Sequence, residues 1–152
     1  MDKKCQTLFQ LQKVSDTSEG AHGTVIADRA VLARWWWQRA VGLLSRSSLA
    51  DDEALIIPGC SAVHTYGMRF PIDLLFLTTS RWAKGYGLGE ETNPSPQPLA
   101  PSQVHGMVVK VVPHVRPFRF AGAAGADTVI ELSAGAAARA AIHAGDRLQW
   151  AA

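Results

Sequence analysis

The run Ile72-Asp73-Leu74-Leu75-Phe76-Leu77 is apolar at odd and even positions alike, with one carboxylate embedded in it. Successive side chains of a strand point to opposite faces, so a strand of this composition is covered on both sides and sits at the centre of its fold. Other short runs surround it. Thr7 to Gln12 and Thr24 to Ala27 alternate as strands, with the polar turn Ser15 to Gly20 between them. Ala54-Leu55-Ile56-Ile57 is stopped by Pro58-Gly59, and Met107 to Val112, Thr128 to Leu132 and Arg147 to Trp150 complete the strand-like segments. Between Val31 and Leu44 the period changes. Ala33, Trp36, Trp37, Ala40, Val41, Leu43 and Leu44 share one face of a helical wheel, which predicts a main amphipathic helix over Asp28 to Ser45 with Asp28 as its N-cap. Trp35 falls off that face. Ala136 to His143 predicts a short C-terminal helix closed by Gly145. No βαβ alternation and no repeat is present. The expected fold is therefore α+β: one domain over residues 1–152, with a mostly antiparallel curled sheet or partial barrel and the main helix against it.

Arg81 to His105 has a different character, with Pro94, Pro96, Pro98 and Pro101 and the glycine triplet Gly85, Gly87 and Gly89. It predicts a flexible loop or an extended hairpin tip. No clean strand precedes the glycines and no Lys-Ser/Thr follows, so a phosphate cradle is not expected there.

Composition narrows the class. A chain of 152 residues with 47% hydrophobic and 18% charged residues can bury a core without covalent staples. The formal charge of +2, and no basic run longer than Lys3-Lys4, argue against a nucleic-acid partner. Cys5 and Cys60 make no disulfide framework or CxxC pair. His22, His64, His105, His114 and His143 show no HxH, HxxxH or HExxH spacing, so no metal and no cofactor is expected. Nothing resembling an export signal follows Met1-Asp2-Lys3-Lys4, and no run is apolar enough to span a membrane. The expectation is a soluble, cytoplasmic protein with both thiols reduced.

The chemistry-bearing stretch is Pro58 to Asp73, a polar loop fixed at both ends by apolar strands. Cys60 and His64 suggest a thiolate nucleophile and its base, while a small core thiol beside a loop histidine fits the same letters. His64 and Asp73 could form an orienting pair. Asp73, if buried, must be hydrogen-bonded, paired or at a strand end, because an unpartnered buried carboxylate is costly. Arg69 would lie about 13 Å away along an extended strand, so pairing with it requires a bend at Pro71.

Trp37 to Arg46 resembles the opening helix of a prokaryotic family known as domain of unknown function 192, or uncharacterised protein family 0127. Val63-His64-Thr65-Tyr66-Gly67-Met68-Arg69-Phe70-Pro71-Ile72-Asp73 and the strand after it are similar to that family's central signature. Arg116-Pro117-Phe118-Arg119, Val129 to Leu132 and Gly145-Asp146 resemble its closing segments, so the likeness spans about residues 24–150. The segment of about 81–105 departs from the family pattern as an insertion. The resemblance implies a small mixed fold in a bacterial protein and marks Cys60, His64, Thr65, Met68 and Asp73 as signature positions; it implies no activity.

Two functions of different class remain, with a bland third. The favoured one is a non-enzymatic accessory module that binds a small molecule or a protein partner around residues 60–73. Thr65, Tyr66, Met68 and Arg69 are then its contacts, and Tyr66 and Phe70, with Trp35 and Trp82, its exposed aromatics. The alternative is a hydrolase or transferase using Cys60, His64 and Asp73. In the third, the signature residues only hold the fold together.

Overall fold

The protein was analysed as a computed structural model, which describes residues 8–15, 22–33, 43, 46–79 and 103–151. In chain order its elements are β1 (Leu8–Ser15), β2 (His22–Leu32), β3 (Glu53–Pro58), β4 (Ala62–His64), β5 (Ile72–Thr78), β6 (Gln103–Val115), β7 (Phe120–Gly122), β8 (Thr128–Ser133), α1 (Ala136–Arg139) and β9 (Arg147–Ala151). Seven strands close into a barrel in the order β1-β2-β3-β8-β5-β6-β9, and β4 and β7 form a separate two-stranded sheet. All pairings are antiparallel except β2 with β3.

The strand that is apolar on both faces lies between β6 and β8, and every one of its residues is buried. Leu75 and Leu77 enter the barrel interior with Leu11, Ile56, Ile130, Leu132, Leu148 and Trp150. Ile72, Leu74 and Phe76 face the other way and pack with Ile57, Met68, Val115 and Val129 in a second cluster outside the barrel wall. Two apolar faces thus meet two separate cores. Val63 and Ala121, opposite one another in the β4–β7 sheet, pack on this outer cluster. Their neighbours His64 and Phe120, also opposite one another, turn to solvent. Period-two alternation therefore gives the small sheet a dry face and a wet face.

The α+β expectation is overturned. Among the described residues the only helix is α1, and the molecule is nearly all sheet around a closed barrel. Residues 28–32 of the expected main helix belong to β2, where Ala30 and Val31 pair with Phe9 and Leu8. Asp28 is no N-cap: its Oδ1 accepts a hydrogen bond from Gln10 Nε2 on β1, at 2.7 Å. Ala27 and Ala30 are buried small residues that fit a helical stripe and an irregular strand equally, and β1–β2 carries register shifts at this place. The wheel's Trp36, Trp37, Ala40, Val41 and Leu44, with Trp35, lie outside the described residues, as do Cys5, the turn beyond Ser15, the glycines at 85–89, and Trp82.

Two boundaries also move. The short helix ends at Arg139 rather than His143, because Ala141 takes a left-handed φ of 47° and the Ile142 N–H returns to the Ala137 carbonyl. The expected loop of 81–105 is shortened at its end, since Gln103 to His105 pair with Ala151 to Gln149. The remainder of that segment lies outside the described residues. Among them, no helix is long and apolar enough to cross a membrane.

Candidate binding surface

Asp73 follows from the barrel geometry. It alternates with Leu75 and Leu77 on the inner face of β5, at the end where α1 contributes Ala136 and Ala137 to the interior. Its carboxyl group is wholly buried and accepts three backbone N–H groups: His114 at 2.8 Å on Oδ1, and Gly135 and Ala137 at 3.0 Å each on Oδ2. The donor on β6 is free to do this because the β5–β6 register slips between Ile72 and Leu74, and His114 sits in the slip with a φ of 51°. The His114 ring lies further off, its Nδ1 3.9 Å from Oδ1. Asp73 thus ties β5, β6 and the start of α1 into one unit, and its carboxyl partners include neither His64 nor Arg69.

Thr65 does the same work at the rim. Its hydroxyl donates to the Arg116 carbonyl at 2.7 Å and accepts from the Arg119 N–H at 2.9 Å. Its own N–H reaches the Arg119 carbonyl, and its carbonyl takes the N–H groups of Met68 and Phe118. Every polar group of one buried threonine is used to lock the 64–68 turn to the 116–119 turn. Met68 closes the turn from below, 5% exposed in the outer cluster.

Cys60 is half-buried against the same cluster, and its Sγ lies 3.0 Å from the Ala62 carbonyl. His64 instead meets the Tyr66 ring, with centroids 5.6 Å apart. The thiol, the imidazole and the carboxylate therefore have three different sets of partners, and among the described residues no contact joins them.

What the locked turns do present is a row of rings. Tyr66 contacts His64 on one side and Phe118 on the other, the latter edge-on at 6.1 Å. Phe120 lies across the small sheet from His64. Tyr66, Phe118 and Phe120 are 54%, 60% and 71% exposed, where large apolar side chains are ordinarily covered. Phe118 also has a φ of 60°, a left-handed conformation that a bulky residue avoids and that costs roughly 1–2 kcal/mol. The Thr65 carbonyl holds it there through the Phe118 N–H, at 3.0 Å.

Three arginines border the rings: Arg69, Arg116 and Arg119, all exposed. Arg29, Arg46 and Arg139 each meet a carboxylate, whereas among the described residues none of the border three does. Residues 60–72 and 113–126 contain no acid at all. Phe118, Phe120, Arg116 and Arg119 were not among the expected site residues, although Arg116-Pro117-Phe118-Arg119-Phe120 interleaves cations and rings in plain view.

A second depression, about 170 Å³, lies between Thr24–Ile26 of β2 and Ala136–Ala140. Its Arg139 already binds Asp51 at 2.7 Å and the Ser133 hydroxyl at 3.0 Å.

Residues 17–84 match the model of the family DUF192, described as Uncharacterized ACR. This is the family that the residues from Val63 to Asp73 resemble, and the match covers a little under half of the chain. Two solved structures share the fold. One is a protein of unknown function from Novosphingobium aromaticivorans DSM 12444, 23% identical, with a TM-score of 0.61 over 91% of this chain and 82% of that one. The other, from Sinorhizobium meliloti 1021 and described there as a proposed transcription regulator, is 19% identical, with a TM-score of 0.62 over 94% of both chains. No curated protein matches the chain.

Proposed function

We propose that this protein is a non-enzymatic binding module whose contact surface is the ring row His64, Tyr66, Phe118 and Phe120 with its arginine border. The single observation that carries the reading is Phe118, held in a strained backbone conformation while its ring stands in water. A fold gains nothing for its own stability from that combination. Thr65 and Met68 serve the surface from behind, as the residues that fix its two turns, while Asp73 binds β5 to β6 and α1, and Tyr66 and Arg69 belong to the surface itself.

The test uses benzoate, a flat ring carrying one negative charge. In a heteronuclear NMR titration, benzoate is expected to shift the amides of Tyr66, Gly67, Arg119 and Phe120 in one saturable process of millimolar strength. Tyr66→Ser is expected to abolish it. Shifts scattered over the barrel, or unaffected by Tyr66→Ser, would sink the reading.

The competing hydrolase or transferase is tested at the thiol. With Sγ turned to a carbonyl and His64 turned to Tyr66, titration of Cys60 with a small disulfide reagent is expected to give the same rate-versus-pH curve in the Cys5→Ser background and in Cys5→Ser/His64→Ala. A curve displaced to higher pH by removing His64 would restore the nucleophile and base.

A further inference from the structure

We infer that the occupant of this surface is single-stranded nucleic acid, an inference that rests on the binding reading above and names its ligand class. Two features coincide. The rings supply exposed aromatic surface, tilted at 59° and 81° to one another, and exposed rings are what unpaired bases stack on irrespective of sequence. The arginines supply cations that meet no carboxylate among the described residues, and phosphate is the anion whose geometry the guanidinium fork fits. Arg116 and Arg119 are tied through their own backbone to Thr65, so the backbone positions that carry the charges are fixed beside the rings. An isolated stacking platform would hold one ring, and an isolated arginine patch any polyanion. Together they select a chain that alternates flat groups with phosphates. A duplex is excluded because its bases are already stacked on each other.

The formal charge of +2 does not speak against this, because it averages over the whole chain, whereas residues 60–72 and 113–126 hold no acid. Asp28, Asp51, Asp52 and Glu53 are on or beside β2 and β3, strands of the barrel and not of the β4–β7 sheet.

The experiment is fluorescence polarisation with a labelled single strand of about 12 nucleotides, in DNA and RNA versions, against the full chain. Binding is expected to weaken about 20-fold between roughly 50 and 200 mM salt, the slope of about −2 that three phosphate contacts give. Arg69→Gln and Arg116→Gln are each expected to lower that slope by about 0.7. Phe118→Gly, which relieves the left-handed strain and so keeps the fold, is expected to weaken binding about tenfold or more. The DNA and RNA arms distinguish the two backbones.

Oligonucleotide binding that is indifferent to both Phe118→Gly and Tyr66→Ser would overturn the inference, since only diffuse charge would then be at work. So would a poly-glutamate peptide that competes on equal terms, which would assign the surface to acidic peptides. If benzoate binds and the oligonucleotide does not, this inference falls and the binding reading stands; if neither binds, both fall.

Discussion

Asp73→Ala is expected to lower the free energy of unfolding by about 4 kcal/mol, measured as a shift of the urea midpoint at unchanged slope. The substitution leaves the N–H groups of His114, Gly135 and Ala137 facing the hole where their shared acceptor stood. Each buried unsatisfied donor costs about 1–3 kcal/mol, partly relieved if water enters. Two of the three open α1, so the barrel end they cover should loosen first. Asp73→Asn keeps an oxygen but turns an NH₂ toward a row of donors, and about half of the loss is expected. A change below about 1 kcal/mol in the alanine variant would show that the carboxylate is not what binds β5 to β6 and α1. Because natural domains have about 5–15 kcal/mol in all, Asp73→Ala should sit near the edge of folding.

Glu131→Gln is expected to act in the opposite sense, and only at high pH. Glu131 is buried on β8, flanked in register by Leu55 and Leu74, and burial raises its pKa from 4.5 to about 7. The carboxyl group therefore holds its proton in the folded chain over a range where the unfolded chain has released it. Stability from this group is fully present below pH 4.5 and is lost as pH rises to about 7. The whole loss amounts to about 3 kcal/mol. Glutamine has no proton to lose, so the variant should match the wild type near pH 4.5 and exceed it by up to about 3 kcal/mol near pH 8. Thermal melts of both proteins at the two pH values decide the matter, and a difference independent of pH would refute the buried-acid account. The glutamate is thus a standing penalty at neutral pH.

How much of this was legible beforehand depended on whether the determining interaction was local. The strand around Leu74 could be read because its own letters show two apolar faces. Asp73 could be recognised as an anomaly for the same reason. Its partners could not be named, because they are backbone groups 41 to 64 residues away, and any residue has a backbone N–H. The segment from Asp28 to Leu32 was misread because the helical face beginning at Ala33 was extended back to Asp28 as an N-cap, while the pairing of β2 with β1 and β3, which overrides local preference, leaves no mark in those letters. The ring surface failed in a third way. Its halves, 64–69 and 116–120, were each visible, but the contacts of Thr65, Tyr66 and His64 that join them are long-range, and total charge concealed a patch without acids.

Leu11 pairs with Trp150, so the barrel's last seam joins the first described strand to the last. Until β9 arrives, β1 and β6 both keep an open edge, and the interior lacks Leu148 and Trp150. On the ribosome this chain must wait for β9 as an unclosed sheet with an apolar lining. Loop closure over such a distance is slow, and open edges recruit other strands. The crowded cell thus meets this protein first as a half-made cylinder, and a chain without β9 would stay in that state.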